Sequence, residues 1–244
     1  MKVGGYSNSR GITFYNKILK VNSFYRNGEI INEVEWIITP KWFSRLEKIP
    51  ILGGIVMLYY QWKIFSKKMK FIYIFLLLLI IVDNRLNFSY KYINDKWVYV
   101  ILALLLLINF RTIMRVFRFH GAEHKVINCF TENGYVSYDI AKITSRFNKR
   151  CGSNLVLIFL ILFSIMWALG QESLWVIGFL MLITIQIMKI LNKKDTRFDR
   201  YINIVQYITV QEPKFEELEL ATQAFNKLLQ ATLIYQRECN MRAR

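Results

Sequence analysis

The 244-residue sequence predicts an all-α polytopic membrane protein with about four transmembrane helices and a small cytoplasmic α+β layer. The prediction rests on long apolar runs and on the charge of the segments between them. Hydrophobic residues make up 54% of the chain, more than in an average soluble protein. Four apolar runs lie at residues 71–82, 97–108, 155–169 and 174–191. The first two are short, but they can lengthen at both ends toward the roughly 20 residues of a spanning helix.

The distribution of charge predicts how these helices are oriented. Lysines and arginines number 33 against 17 acidic residues, and they concentrate before the first run, between the second and third, and after the fourth. The positive-inside rule then places both termini and the segment 111–154 in the cytoplasm, with the four runs crossing a membrane. Anionic lipids are the expected partner and no nucleic acid is expected, while the sequence leaves homo-oligomerisation open.

The same patterns divide the chain into regions. The "RNGE" stretch contains an Asn-Gly pair, which indicates a β-hairpin. The opening "MKVGGYSNSRGITF" lacks the apolar core of a secretory signal, so export of the first segment is not expected. The regions are a cytoplasmic N-terminal region at 1–48 with a β-hairpin, an interfacial or re-entrant helix at 49–65, a four-helix membrane domain at 66–192 with a cytoplasmic loop at 111–154, and a cytoplasmic helical region at 193–244.

Both histidines of the chain lie within "FHGAEHK". His120 and His124 are one helical turn apart, and Glu123 lies between them, so all three side chains can face one point. H-x-x-E-H is the order of the inverzincin motif, in which two imidazoles bind zinc and the glutamate activates water. The motif therefore predicts a site for Zn, Mn or Fe with Glu123 as the catalytic base. Ordinary packing histidines also occur at this spacing, and that alternative stays open.

A metal site of this kind needs a third protein ligand. Candidates from the sequence are Cys151, Glu132, Asp139 and Glu212. Cys151 is the best placed because it directly precedes the third apolar run and so returns to the membrane face that carries His124. Arg150 and a helix N-terminus would lower the pKa of its thiol. A reduced, partly buried cysteine without a ligand role is the alternative.

The stretches "FHGAEHKVIN", "RCGSNL" and "ITVQEP" resemble, in order and spacing, the DUF1385 family of bacterial membrane proteins. That group is sometimes described as predicted metal-dependent enzymes. The resemblance also implies that the apolar runs cross the inner membrane of a bacterium. By this resemblance, motif positions of the family fall on His120, Glu123, His124, Cys151 and Glu212. The resemblance implies that His120, His124, Cys151 and Glu212 bind a metal ion and that Glu123 is catalytic.

The chain also departs from the family pattern. Asn148 stands where the family usually has a histidine, and Tyr6 and Arg10 stand where it usually has a glutamine and a glutamate. Two functions remain. One is a metal-dependent enzyme, hydrolase-like, with its HxxEH site at the cytoplasmic membrane face. The other is a non-catalytic membrane scaffold or assembly factor, in which HGAEHK is a structural clasp between the second and third membrane helices.

Overall fold

The N-terminal part of the chain forms a four-stranded antiparallel sheet in the order β1-β2-β3-β4. The strands are β1 (Gly4–Ser7), β2 (Gly11–Tyr15), β3 (Leu19–Arg26) and β4 (Glu29–Trp36). Asn27 and Gly28 join β3 to β4 with φ values of 54° and 85°. Two positive φ values suit the twist of a two-residue hairpin turn, and asparagine and glycine adopt them most readily.

The rest of the described chain is mainly helical. The computed structural model describes residues 3–37, 42–46, 49, 52–86, 95–171, 173–192, 201 and 203–242. The helices are α1 (Phe43–Leu46), α2 (Leu52–Ile64), α3 (Lys67–Leu86), α4 (Asp95–Ile108), α5 (Phe110–Asn133), α6 (Tyr138–Ile143), α7 (Gly152–Ala168), α8 (Leu174–Leu191), α9 (Gln206–Thr209) and α10 (Phe215–Arg242), with a 3-10 turn at Asn203–Val205. The predicted boundaries after residues 48 and 192 adjoin residues 47–48 and 193–200, which lie outside the described residues.

The hydrophobic core lies between one face of the sheet and the helices α5 and α10. Phe14 of β2 meets Phe225 of α10 edge to face, with ring centroids 5.1 Å apart, and Phe130 of α5 lies 5.0 Å from the same ring. Buried residues around this trio include Ile12, Leu19, Val21, Phe119, Val126, Leu220 and Leu228. Alternation along β2 and β3 and helical spacing along α5 and α10 bring these side chains to a common interior.

The prediction of an all-α polytopic membrane protein is wrong. A four-stranded sheet is part of the fold, and among the described residues no helix has the combination of length and apolar character needed to cross a bilayer. The predicted location, a multi-pass protein of the bacterial inner membrane with cytoplasmic termini, fails on the same finding.

The lengths of the helices explain the error. Helices do form at the four apolar runs, but α4, α7 and α8 have only 14, 17 and 18 residues. At 1.5 Å per residue they measure about 21, 26 and 27 Å, short of the roughly 30 Å of a hydrocarbon core. Helix α3 has 20 residues, but it begins with the sequence KKMK and ends with DNRL, so its apolar part is shorter than the helix.

Candidate metal centre

Helix α5 carries the HxxEH motif, and the backbone at Gln211 packs closely against this part of the helix. A Cβ atom added to Gly121 would lie 1.8 Å from the carbonyl oxygen of Gln211, so no larger residue fits without a shift. The backbone N–H of Gln211 also donates to the carbonyl of Phe117, at 3.0 Å. The segment after α9 therefore lies directly along α5, next to Phe117 and Gly121.

The two imidazoles are held in one tautomer by backbone carbonyls. Nδ1 of His120 lies 3.1 Å from the oxygen of Thr209, and Nδ1 of His124 lies 2.7 Å from the oxygen of Arg146. Because a carbonyl oxygen can only accept, each Nδ1 carries the hydrogen and each Nε2 keeps a free lone pair. The rings lie 4.5 Å apart between centroids.

Burial also keeps both rings neutral. It lowers the pKa of His120 from its ordinary value, although the hydrogen bond to Thr209 opposes the shift. Burial lowers the pKa of His124 to about 3, with a smaller contribution from the neighbouring His120. At neutral pH both Nε2 atoms are therefore unprotonated, as a metal ligand must be.

Cys151 brings a thiol to the same point from the turn before α7. Its Sγ lies 3.3 Å from Nε2 of His120 and 3.0 Å from Oγ of Ser153. One donor atom from each of His120, His124 and Cys151 lies within 4.8 Å of the others. Burial raises the pKa of the thiol, contrary to the lowering predicted from Arg150. Arg150 is exposed to water, so its charge does not offset the desolvation of the sulfur.

Glu123 is buried beneath the first strand of the sheet. Its Oε2 accepts a hydrogen bond from Oγ of Ser7 at 2.8 Å, and a Cβ on Gly5 would lie 2.8 Å from its Oε1. Burial raises the pKa of Glu123 to about 7, although the bond from Ser7 works in the opposite direction. Burial and the nearby Glu123 in turn raise the pKa of Tyr15 to about 12. A carboxyl group that titrates near neutrality suits a general base.

Glu212 lies outside this donor group. Its carboxylate pairs with Lys125 at 2.7 Å and with Arg146 at 3.7 Å, and its side chain is 61% exposed. Among the described residues, Glu132 and Asp139 are not in the donor group either. The implied role of Glu212 as a ligand thus stays a prediction, while the contacts that the structure shows are those of an ion pair.

The three positions that depart from the family pattern have surroundings of their own. Asn148 bonds to Asn128 and to Gln206 rather than to a donor atom. The Tyr6 hydroxyl donates to the carbonyl of Ile64, and Arg10 is exposed.

The sequence did not single out Gly5, Ser7 or Gln206, although all three support the site. The only signal for the first two was the Gly-rich stretch "GGYSNSRG". Gln206 stands in no motif, and nothing in the sequence marks it.

The donor set fits a divalent ion. Two imidazoles and one thiolate are ligands that zinc and ferrous iron accept, whereas manganese prefers oxygen ligands. Histidines that bind metal usually donate their other N–H to a carbonyl or carboxylate, as both histidines do here. Three protein ligands are also the number found in catalytic zinc sites, which keep one position open.

Comparison with known proteins bears out the resemblance seen in the sequence. The family described as "Protein of unknown function (DUF1385)" matches residues 62–231. A relative, "Uncharacterized protein YqhQ" of Bacillus subtilis (strain 168), is 33% identical over 131 residues, covering 48% of this chain. The matched part is 41% of the length of that relative. No solved structure matches the chain. Because the family match covers well over half of the chain, the protein belongs to the DUF1385 family.

Proposed function

We propose that the protein is a metal-dependent enzyme of hydrolase type, with His120, His124 and Cys151 as the ligands of one divalent ion. The observation that carries the proposal is the approach of three donor atoms to within 4.8 Å of one another, from two separate parts of the chain. The ligand chemistry favours zinc or ferrous iron over manganese. Such an ion would supply Lewis-acid activation of a water molecule or a substrate carbonyl.

The protein side chains supply positioning and proton transfer. The carbonyls of Thr209 and Arg146 hold the two imidazoles with Nε2 available. Glu123 is the proposed general base, because its raised pKa of about 7 lets it both accept and return a proton near neutral pH. Ser7 keeps the Glu123 carboxyl in place by donating to Oε2.

Metal analysis of the purified protein tests the first part of this proposal. We expect one equivalent of Zn, Mn or Fe in the wild-type protein and none in His124→Ala or Cys151→Ala. Cys129→Ala is the matched control, because Cys129 is a buried thiol of α5 outside the donor group. A stable wild-type protein that contains no metal and is unaffected by a chelator would contradict the proposal.

A Glu123→Gln variant tests the catalytic part. The amide keeps the size of the side chain and can still accept from Ser7, but it cannot act as a base. We expect the variant to retain the metal and to lose hydrolysis of a panel of chromogenic esters and phosphoesters by about 100-fold or more. Retention of both metal and hydrolysis in Glu123→Gln would exclude Glu123 as the base.

A second candidate function is a scaffold in which HGAEHK is a structural clasp. It is favoured by the bonds from the histidines to Thr209 and Arg146, which tie α5 to two distant segments. A His124→Asn variant separates the candidates, because its side-chain amide can still donate to the carbonyl of Arg146. Under the clasp function the variant keeps wild-type stability in a protein without metal, and under the enzyme function it loses the metal.

A further inference from the structure

We infer that Gln206 is a positioning residue of the candidate metal centre. It holds in place the turn at residues 148–151, which brings the thiol of Cys151 close to His120. The part of this inference that concerns metal affinity rests on the proposed function. The part that concerns the position of the thiol stands on the geometry of the chain alone.

Gln206 makes two hydrogen bonds to the backbone of that turn. Its side chain is fully buried, with 0% exposure. Oε1 accepts from the backbone N–H of Asn148 at 2.9 Å, and Nε2 donates to the carbonyl of the same residue at 2.8 Å. The amide thus pairs with Asn148 as a neighbouring strand would. The carbonyl of Asn148 also accepts from the backbone N–H of Cys151 at 3.1 Å. The residue that Gln206 holds is therefore bonded directly to the residue that carries the thiol.

Further amides hold the turn at its other points. Oδ1 of Asn148 accepts from the backbone N–H of Arg150 at 2.8 Å, and Nδ2 of Asn154 donates to the carbonyl of Lys149 at 3.1 Å. Nε2 of Gln206 lies 2.9 Å from Oδ1 of Asn154, so the same glutamine is joined to both sides of the turn. Residues 148–151 therefore have little freedom while Gln206 is in place.

The same short helix also positions a histidine. Gln206 begins α9 and Thr209 ends it, and the carbonyl of Thr209 accepts from Nδ1 of His120. One turn of helix therefore fixes Cys151 through a side chain and His120 through a backbone oxygen. The 3.3 Å separation between Sγ and Nε2 depends on this common support. Loss of the Gln206 amide should let the thiol move away while α5 keeps both histidines.

The reactivity of the Cys151 thiol tests the position without any metal. In a Cys239→Ser background, which removes the exposed cysteine, iodoacetamide labelling of Cys151 and Cys129 is followed by peptide mass spectrometry with chelator present. We expect Gln206→Leu to speed labelling of Cys151 by about tenfold or more through local opening of the turn, and to leave Cys129 unchanged. Asn16→Leu is the control, because Asn16 is another buried amide, and its Nδ2 bonds to Thr232 of α10 rather than to residues 148–151.

Cobalt binding tests the consequence for the site. We expect Gln206→Leu to lower the affinity for Co²⁺ by about 10- to 100-fold and to weaken the thiolate-to-cobalt charge-transfer band, while Asn16→Leu keeps both. Gln206→Glu retains the acceptor for Asn148 but loses the donation, and it serves if the leucine variant does not fold.

The outcomes separate the two proposals. If Cys151 in a folded Gln206 variant is labelled at the wild-type rate, the inference is overturned. The same holds if the labelling rate of Cys129 increases as much as that of Cys151. If the wild-type protein binds no Co²⁺, the proposed function fails, and the labelling rates still decide whether Gln206 positions the thiol.

Discussion

At the scale of single residues, Glu123 is buried, and along α5 it lies between the two candidate histidine ligands. A carboxyl group in the interior prefers its neutral form, and the single hydrogen bond from Ser7 does not reverse that preference. Its pKa of about 7 has a consequence for stability that can be measured without knowing the substrate.

We expect Glu123 to make the metal-free protein less stable as the pH rises from 4.5 to about 7. Over this range the unfolded chain loses the Glu123 proton while the folded chain keeps it, so the folded state binds more protons. The free energy of unfolding should fall by about 3 kcal/mol from this residue, and then level off above pH 7. Urea denaturation across the pH range, with chelator present, measures the effect.

The comparison with Glu123→Gln isolates this contribution. His120 and His124 have lowered pKa values, so they contribute stability that increases with pH in both proteins. Subtraction of the two pH profiles removes the histidines and leaves the carboxyl group. A difference between wild type and Glu123→Gln that does not vary with pH would show that Glu123 ionises normally in the fold.

Gly121 provides a second prediction at this scale. Gly121→Ala should lower the free energy of unfolding by about 1–3 kcal/mol, because the added Cβ would overlap the carbonyl oxygen of Gln211. Gly178→Ala is the matched control, since among the described residues no atom outside its own helix lies within 4 Å of the added Cβ, and alanine favours a helix by up to about 1 kcal/mol. Chemical denaturation of both variants should give shifts of opposite sign, and equal shifts would contradict the close approach.

Residues of the site that are close together in the sequence can be predicted, whereas residues that come from distant parts of the chain cannot. The spacing of His120, Glu123 and His124 places them on one side of a helix whatever else the chain does. Cys151 joins the donor group from the turn before α7. The sequence singled it out because it would return to the membrane face that carries His124, and that argument fails because no described helix can cross a membrane. Ser7 and Gln206 reach the site only through the tertiary fold, which the periodicity of a sequence does not encode.

At the scale of elements, α10 joins the sheet to the helix that carries the site. Phe225 contacts Phe14 of β2 and Phe130 of α5 at once, and it is fully buried. The four-stranded sheet and α5 thus share one core through this side chain. A defect there should loosen β1 from Glu123 as well as lower the overall stability.

We expect Phe225→Ala to cost about 3–5 kcal/mol of unfolding free energy, as a cavity in a packed core usually does. Leu233→Ala is the control on the same helix, because Leu233 is 56% exposed and its truncation should change stability by about 0.5 kcal/mol or less. Thermal or chemical denaturation distinguishes them. Similar losses in both variants would place α10 outside the core.

The ends of elements are where prediction from sequence fails in this chain. The apolar runs predict that helices form, but local caps decide where they begin and end. Helix α7 is capped by Cys151 at its start and is followed by Gly170 with a φ of 70°, and Ser173 caps the start of α8 through its side chain. Hydropathy summed over a run does not register such boundaries, so the prediction that the runs of α4 and α7 form spanning helices is wrong.

At the scale of the whole molecule, the candidate centre exists only once distant segments have met. Residues 4–7, 120–124, 146–151 and 206–212 all contribute contacts to it. An ion that binds this arrangement and not the unfolded chain must stabilise the entire fold. We expect free Zn²⁺ at about 100 times its Kd to raise the free energy of unfolding by about 2.7 kcal/mol.

The pH dependence of metal binding follows from the same arrangement. Both imidazoles are already neutral, so they need not release a proton, whereas burial raises the pKa of Cys151 and keeps its thiol protonated near neutrality. Binding must therefore displace one proton, and the affinity should rise about tenfold per pH unit below the pKa of the thiol. Calorimetry in buffers of different ionisation enthalpy counts that proton. Cys151→Ser should bind more weakly and without this slope, and a wild-type affinity that does not vary with pH would remove Cys151 from the ligand set.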